Sequence, residues 1–83
     1  MFILTKSESE LVNVDNVISF YVESGFRGET YIKARVGNSA ENILLGEYTT
    51  EEANRVFETL LSKIKEKEEY IKMKSLLQTK NFN

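Results

Sequence analysis

Aromatic and basic side chains alternate along two strand-like runs, residues 17–23 and 29–36, where they could bind bases or a protein. These side chains are Tyr21, Tyr31, Lys33 and Arg35. Aromatic rings interleaved with cations on an open sheet stack single-stranded bases and hold phosphates. Tyrosine is also a good strand former, and Glu23 can pair with a basic residue across the strands. The net charge of −2 favours this second interpretation, so nucleic acid is the less favoured partner.

The connection between these runs, residues 24–28, places an aromatic ring and a guanidinium at a predicted hairpin tip. Phe26 and Arg27 lie between Gly25 and Gly28, two glycines free to adopt positive φ. Exposed Phe and Arg side chains are enriched in protein contacts. Phe26 could equally fold over the edge of the core, and the sequence leaves both interpretations open.

Catalytic and metal-binding groups are scarce. The chain has no histidine and no cysteine, which removes the commonest general base and the thiolate ligands. Glu8 and Glu10 fall in an exposed turn, and the spacing of Asn13, Asp15 and Asn16 matches no calcium loop. Gly25 and Gly28 form no phosphate-binding fingerprint, because no helix follows them. We therefore expect no enzymatic activity, no cofactor and no metal.

The elements that must position these side chains are short strands followed by a helix. Runs with strand character lie at residues 2–5, 11–14, 17–23, 29–36 and 43–45, separated by polar or glycine-containing turns. Short turns between successive strands favour an antiparallel meander of four to five strands. The predicted fold class is α+β, with one face of the meander covered by a long C-terminal helix.

The helix has a strong start signal. Thr49 followed by Glu52 fits a capping box, and apolar residues then recur at the spacing of one helical face. These apolar residues are Ala53, Val56, Phe57, Leu60, Leu61 and Ile64. No glycine or proline interrupts residues 65–75, so the pattern predicts a helix that continues to about residue 77.

In the second half of this predicted helix, most apolar residues lie on the side opposite to the apolar face of the first half. Tyr70, Met73, Leu76 and Leu77 form an apolar group after the charged run at residues 65–69. Three interpretations follow: this group packs against another copy of the protein, the chain folds a short second helix back onto its own domain, or the end frays. We assign residues 1–64 to the sheet and its packing helix, and residues 65–83 to a helical extension, a possible oligomerisation segment with a loose tail.

The sequence shows no membrane signature. The apolar start is too short for a signal-peptide core, and no stretch approaches the length of a membrane span. We expect one cytoplasmic domain that does not bind membranes.

Two phrases carry a resemblance, LVNVDNV at residues 11–17 and LGEYTTEEA at residues 45–53. They resemble short proteins of Firmicutes and their phages, which have a β-meander and one C-terminal helix. The resemblance spans roughly residues 2–64. It implies the same fold and no defined catalytic motif, and it admits a phage or mobile-element origin, with a host protein as the target of inhibition.

The functional prediction is a non-catalytic binding protein that forms a homo-oligomer and contacts a protein partner. The predicted partner-binding residues are Tyr21, Phe26, Arg27, Tyr31, Lys33 and Arg35. The first alternative is sequestration of a small nucleotide-like ligand at a subunit interface. The second alternative is single-stranded nucleic-acid binding through the tyrosines and cations of the sheet face.

Overall fold

The computed structural model describes residues 1–37 and 42–77 of the chain. These residues contain six strands and two helices: β1 (Phe2–Leu4), β2 (Leu11–Asn13), β3 (Val17–Ser24), β4 (Thr30–Val36), β5 (Asn42–Tyr48), α1 (Thr50–Lys65), β6 (Tyr70–Lys72) and α2 (Met73–Leu76). The strands form two three-stranded sheets, ordered β2-β1-β6 and β3-β4-β5. The predicted mixed α and β domain with antiparallel pairing is confirmed. The prediction of a single meander with one long helix is wrong.

A backbone hydrogen bond joins the two sheets: the N–H of Lys6, just beyond β1, donates to the carbonyl of Leu45 in β5 at 2.7 Å. Within the second sheet, the N–H of Gly37, just beyond β4, donates to the carbonyl of Asn16 at 3.0 Å and extends the pairing of β4 with β3. Both sheets contribute to one core, in which Ile3, Ile32 and Leu45 are fully buried.

Helix α1 begins where the sequence predicts. The Glu52 N–H donates to the Thr49 hydroxyl at 3.2 Å, and the Thr49 N–H donates to the Glu52 carboxylate at 3.0 Å, which completes the capping box. Ala53, Val56 and Leu60 are buried, and α1 packs on β4, β5 and α2. None of the helices in the described ranges is long and apolar enough to cross a membrane.

The helix ends at Lys65, twelve residues before the predicted end. The Lys67 N–H donates to the Ile64 carbonyl at 3.0 Å, and the Glu68 N–H donates to the Lys63 carbonyl at 3.2 Å. These two bonds form a Schellman motif, in which the residue after the cap adopts a left-handed conformation. Lys67 occupies that position with φ of 61°. The sequence gives no warning of this stop, because glycine is the usual residue there.

Replacing Lys67 by glycine is therefore expected to raise the free energy of unfolding by about 0.5–1 kcal/mol. Glycine removes the steric cost of positive φ, and this gain exceeds its larger entropy in the unfolded chain. Urea denaturation of the two proteins measures the difference. Lys65→Gly is the control, because it places glycine inside α1 and is expected to lower stability. A destabilised Lys67→Gly protein would contradict the left-handed helix stop.

The segment after the turn folds back onto the same domain. β6 pairs in parallel with β1, so that Ile71 lies beside Ile3, and the Phe2 N–H donates to the Glu69 carbonyl at 2.8 Å. Ile71 and Met73 are buried, whereas Tyr70 and Lys72 are exposed. This alternation is the period of a strand. The apolar residues therefore change side because the chain changes from helix to strand, which the prediction of a helical extension over residues 65–83 missed.

The predicted oligomerisation group is thereby divided. Met73 and Leu76 are buried in the chain's own core, and Leu77 is half-buried against that core. Tyr70 alone of the four is exposed, at 52 %. The structure shows the fold-back interpretation, and the group is not an exposed surface for another copy. The predicted loose tail, residues 78–83, lies outside the described residues.

Candidate binding face

The four predicted sheet-face residues lie together on the side of β3-β4-β5 that faces away from the core. The strand register places Tyr21 opposite Lys33 and Ser19 opposite Arg35. Their neighbours Ile32 and Ala34 point the other way into the core. We call Ser19, Tyr21, Glu23, Tyr31, Lys33 and Arg35 the open face.

Both cations of the open face already have partners within it. Lys33 Nζ lies 2.7 Å from Glu23 Oε1 and 5.5 Å from the centre of the Tyr31 ring. The hydrogen bond to Glu23 raises the pKa of Lys33. The Arg35 guanidinium carbon lies 5.1 Å from the centre of the Tyr21 ring, and Nη1 donates to the Ser19 hydroxyl at 3.3 Å. These contacts hold the rings and cations in fixed positions.

The hairpin tip is held by Glu29, which is not among the predicted partner-binding residues. The Gly25 N–H donates to the Glu29 carbonyl at 2.8 Å, and the Arg27 N–H donates to Oε1 at 2.9 Å. Oε2 accepts a hydrogen bond from the Tyr31 hydroxyl at 2.9 Å. The pKa of Glu29 is lowered, first by a hydrogen bond with its own backbone N–H and then by the Tyr31 hydroxyl. The sequence feature that could have indicated this role is the position of the glutamate, directly after the second glycine of the tip.

Phe26 is fully exposed at this tip. It does not fold over the core, so that interpretation is wrong, whereas its role in a protein contact stays a prediction. Gly28 turns the chain with φ of 87°, a conformation that suits glycine and few other residues. An exposed aromatic ring therefore stands on a loop whose backbone is fixed at both ends.

The net charge of the open face is balanced. Glu23 compensates Lys33, and on β5 Glu47 lies opposite Tyr31. Leu44, on the same strand, is exposed and lies opposite Lys33. A surface that binds a nucleic-acid backbone is positively charged along its length. The open face combines aromatic, aliphatic and paired charged groups, a composition closer to that of protein interfaces.

A cleft of about 800 Å³ lies beside the tip, between Lys6, Arg27 and Tyr48. Lys6 Nζ donates to the Glu47 carbonyl at 2.6 Å and lies 4.1 Å from the centre of the Tyr48 ring. The Tyr48 hydroxyl is buried and has no hydrogen-bond partner among the described residues. Burial, and after it the charge of Glu52, raises the pKa of Tyr48 to about 12. The cleft holds cations and carboxylates side by side, so it selects no ligand charge.

The polar residues near the start of β3 form a turn. The Asn13 side chain accepts a hydrogen bond from the Asp15 N–H at 3.0 Å and caps the short 3₁₀ turn Val14–Asn16. Within residues 1–37 and 42–77, no group of three or more His, Cys, Asp or Glu side chains is arranged to hold a metal ion.

Comparison with known proteins adds no identification: no protein-family model matches the chain, and no significant similarity to a curated protein or a solved structure is found. The resemblance to Firmicute and phage proteins stays a prediction. The function is therefore inferred from the geometry of the open face and the hairpin tip.

Proposed function

We propose that this chain is a non-catalytic binding protein that contacts a protein partner through Phe26 and the adjoining open face. The observation that carries the proposal is the full exposure of Phe26 on a hairpin fixed by the three hydrogen bonds of Glu29. A large apolar side chain exposed to water costs free energy, and it recovers that cost when a partner covers it.

The rigidity of the tip supports a binding role. Ordering a flexible loop on association opposes affinity, whereas a loop already held in its bound shape avoids that cost. Tyr31 links the tip to the open face, because its hydroxyl bonds Glu29 while its ring lies beside Lys33. The tip and the face therefore form one continuous surface, and Phe26 and Arg27 stand at its end.

The open face supplies the polar surroundings of the Phe26 anchor. Aromatic and arginine side chains dominate the energetically important positions of protein interfaces. Tyr21 and Arg35 are stacked on each other, which leaves fewer rotamers to lose on binding. If the resemblance to phage proteins holds, the partner is a host protein that this surface inhibits.

Phe26→Ala is expected to weaken the complex with the partner by about 1–3 kcal/mol, which is roughly 5- to 150-fold in Kd. The partner is captured from host-cell lysate with the wild-type chain, identified by mass spectrometry, purified and titrated by calorimetry. The variant should keep the wild-type melting temperature, because the Phe26 ring packs on nothing in the described core.

Tyr70→Ala is the matched control, an exposed aromatic ring outside the proposed surface, and it should change Kd by less than about twofold. An unchanged Kd for Phe26→Ala would contradict the Phe26 anchor. The nucleic-acid alternative predicts a different result. The affinity for a single-stranded oligonucleotide would fall steeply as the salt concentration rises, and binding would be lost in the double variant Lys33→Ala/Arg35→Ala.

A further inference from the structure

Strand β3 is a long sheet edge without the usual protection. It runs from Val17 to Ser24, and in the described ranges 1–37 and 42–77 it pairs with β4 alone. Natural proteins protect such edges with lysine, proline, bulges or very short strands. β3 contains neither lysine nor proline, and its irregularity is confined to the start, between Val17 and Ser19.

The backbone of this edge is ready to accept another strand. The Gly25 N–H points toward β4, because it donates to the Glu29 carbonyl. Successive residues of a strand point their hydrogen-bonding groups to opposite sides. The N–H and C=O groups of Phe20, Val22 and Ser24 therefore point outward, away from β4.

The core-facing side of β3 is also incompletely covered. The main contacts of helix α1 are with β4, β5 and α2, and they do not include β3. Val22, on this side, is 39 % exposed although it is apolar. Phe20, on the same side, is half-buried. An outward-facing backbone and an uncovered apolar side thus occur on the same strand.

We propose that a second copy of the chain pairs antiparallel with β3 about a twofold axis at Tyr21. Antiparallel pairing requires outward-facing residues to oppose each other, so the axis passes through a residue and not between two. An axis at Tyr21 pairs the regular residues 19–23, and an axis at Val22 pairs residues 20–24. An axis at Phe20 places the irregular start of β3 inside the pairing.

Charge distinguishes these two axes and favours the one at Tyr21. With the axis at Tyr21, Glu23 of one copy lies opposite Ser19 of the second copy. In each copy the Ser19 hydroxyl accepts a hydrogen bond from Arg35. Glu23, which keeps Lys33 of its own copy at Oε1, therefore brings its carboxylate toward the Arg35 guanidinium of the second copy across a small side chain, and the twofold axis repeats this arrangement. On the other side of the sheet, Phe20 faces Val22 of the second copy and covers it.

The product is one six-stranded sheet with both α1 helices on the same side. Its opposite side carries two open faces, so a dimer presents the tyrosines and cations of both copies on one surface. The dimer requires no external partner, and its existence is independent of the role proposed for Phe26.

Single-cysteine cross-linking tests the axis, since the natural chain contains no cysteine. Residue 21 would face itself as a non-hydrogen-bonded pair, with Cα atoms about 4.5 Å apart, within disulfide range. Tyr21→Cys should therefore form a disulfide-linked dimer readily under mild oxidation. Ser19→Cys is the control: its two copies would lie about 13 Å apart along the strands and should cross-link far more slowly.

Native mass spectrometry of the untagged wild-type chain is expected to show a dimer. Tyr21→Lys places two like charges directly opposite each other and should shift the mass to the monomer. Tyr31→Lys adds the same charge on β4, away from the edge, and should leave the dimer intact. A wild-type monomer overturns the proposal. So does a dimer in which Tyr21→Cys cross-links no faster than Ser19→Cys, because its copies meet elsewhere.

Discussion

Met73→Ala is expected to lower the free energy of unfolding by about 2–5 kcal/mol. Met73 has no exposed surface and lies in the core with Ile71 and Leu76. Truncation removes buried apolar atoms and leaves a cavity that its surroundings fill only partly. In a domain of this size, a loss at the upper end of that range leaves little net stability. Urea denaturation of the wild-type and variant chains measures it.

Tyr70→Ala is the control for Met73→Ala. Tyr70 lies on the opposite side of β6 and is half exposed, so its truncation should cost less than about 1 kcal/mol. The pair of variants separates the observed fold-back from an exposed C-terminal helix, in which neither residue would be buried in the monomer. Equal and small effects would contradict the placement of β6 beside β1.

The second large effect is expected at alkaline pH. The pKa of Tyr48 is about 12 in the folded chain, raised chiefly by burial, against about 10 in the unfolded chain. Above pH 10 the unfolded chain loses this proton while the folded chain retains it. The free energy of unfolding therefore falls as pH rises from 10 to 12, by up to about 3 kcal/mol from this group.

Tyr48→Phe removes that dependence and should also stabilise the protein near neutral pH by about 1–2 kcal/mol. The gain arises because an enclosed hydroxyl without a partner is unfavourable relative to water. Urea denaturation at pH 8 and at pH 11.5 measures both effects. The pKa of Tyr31 is also raised, but Tyr31 is present in both proteins, so their difference reports Tyr48.

Tyr70→Phe serves as the control for the alkaline measurement, because it removes a phenol that lies at the surface and not in the core. If Tyr48→Phe loses as much stability as the wild type between pH 8 and pH 11.5, the hydroxyl is not enclosed as the structure shows.

The elements with local signals could be predicted from the sequence. Alternation located β3 and β4 to within a residue or two, and the Thr49–Glu52 capping box located the start of α1. The same alternation placed the tyrosines and cations of the open face on one side of the sheet. Each of these features depends on residues that are close in sequence.

The missed features depend on distant residues or on an unusual local choice. β6 has three residues, too few to show a period, and its partner β1 lies at the other end of the described chain. Lys67 follows the end of α1 in a left-handed conformation, for which a sequence-based prediction expects glycine. The exposure of Phe26 follows from the hydrogen bonds of Glu29, which depend on the three-dimensional shape of the loop.

The parallel pairing of β1 with β6 has a consequence for the order of synthesis and folding. Ile3 is synthesised 68 residues before its neighbour Ile71. Until β6 is made, β1 can pair only with β2, and its other edge stays unpaired. Contacts between such distant residues slow folding and extend the time in which aggregation can occur. A chain that stops after α1 would retain that unpaired edge, so the short strand β6 determines when this sheet becomes protected from proteolysis and aggregation.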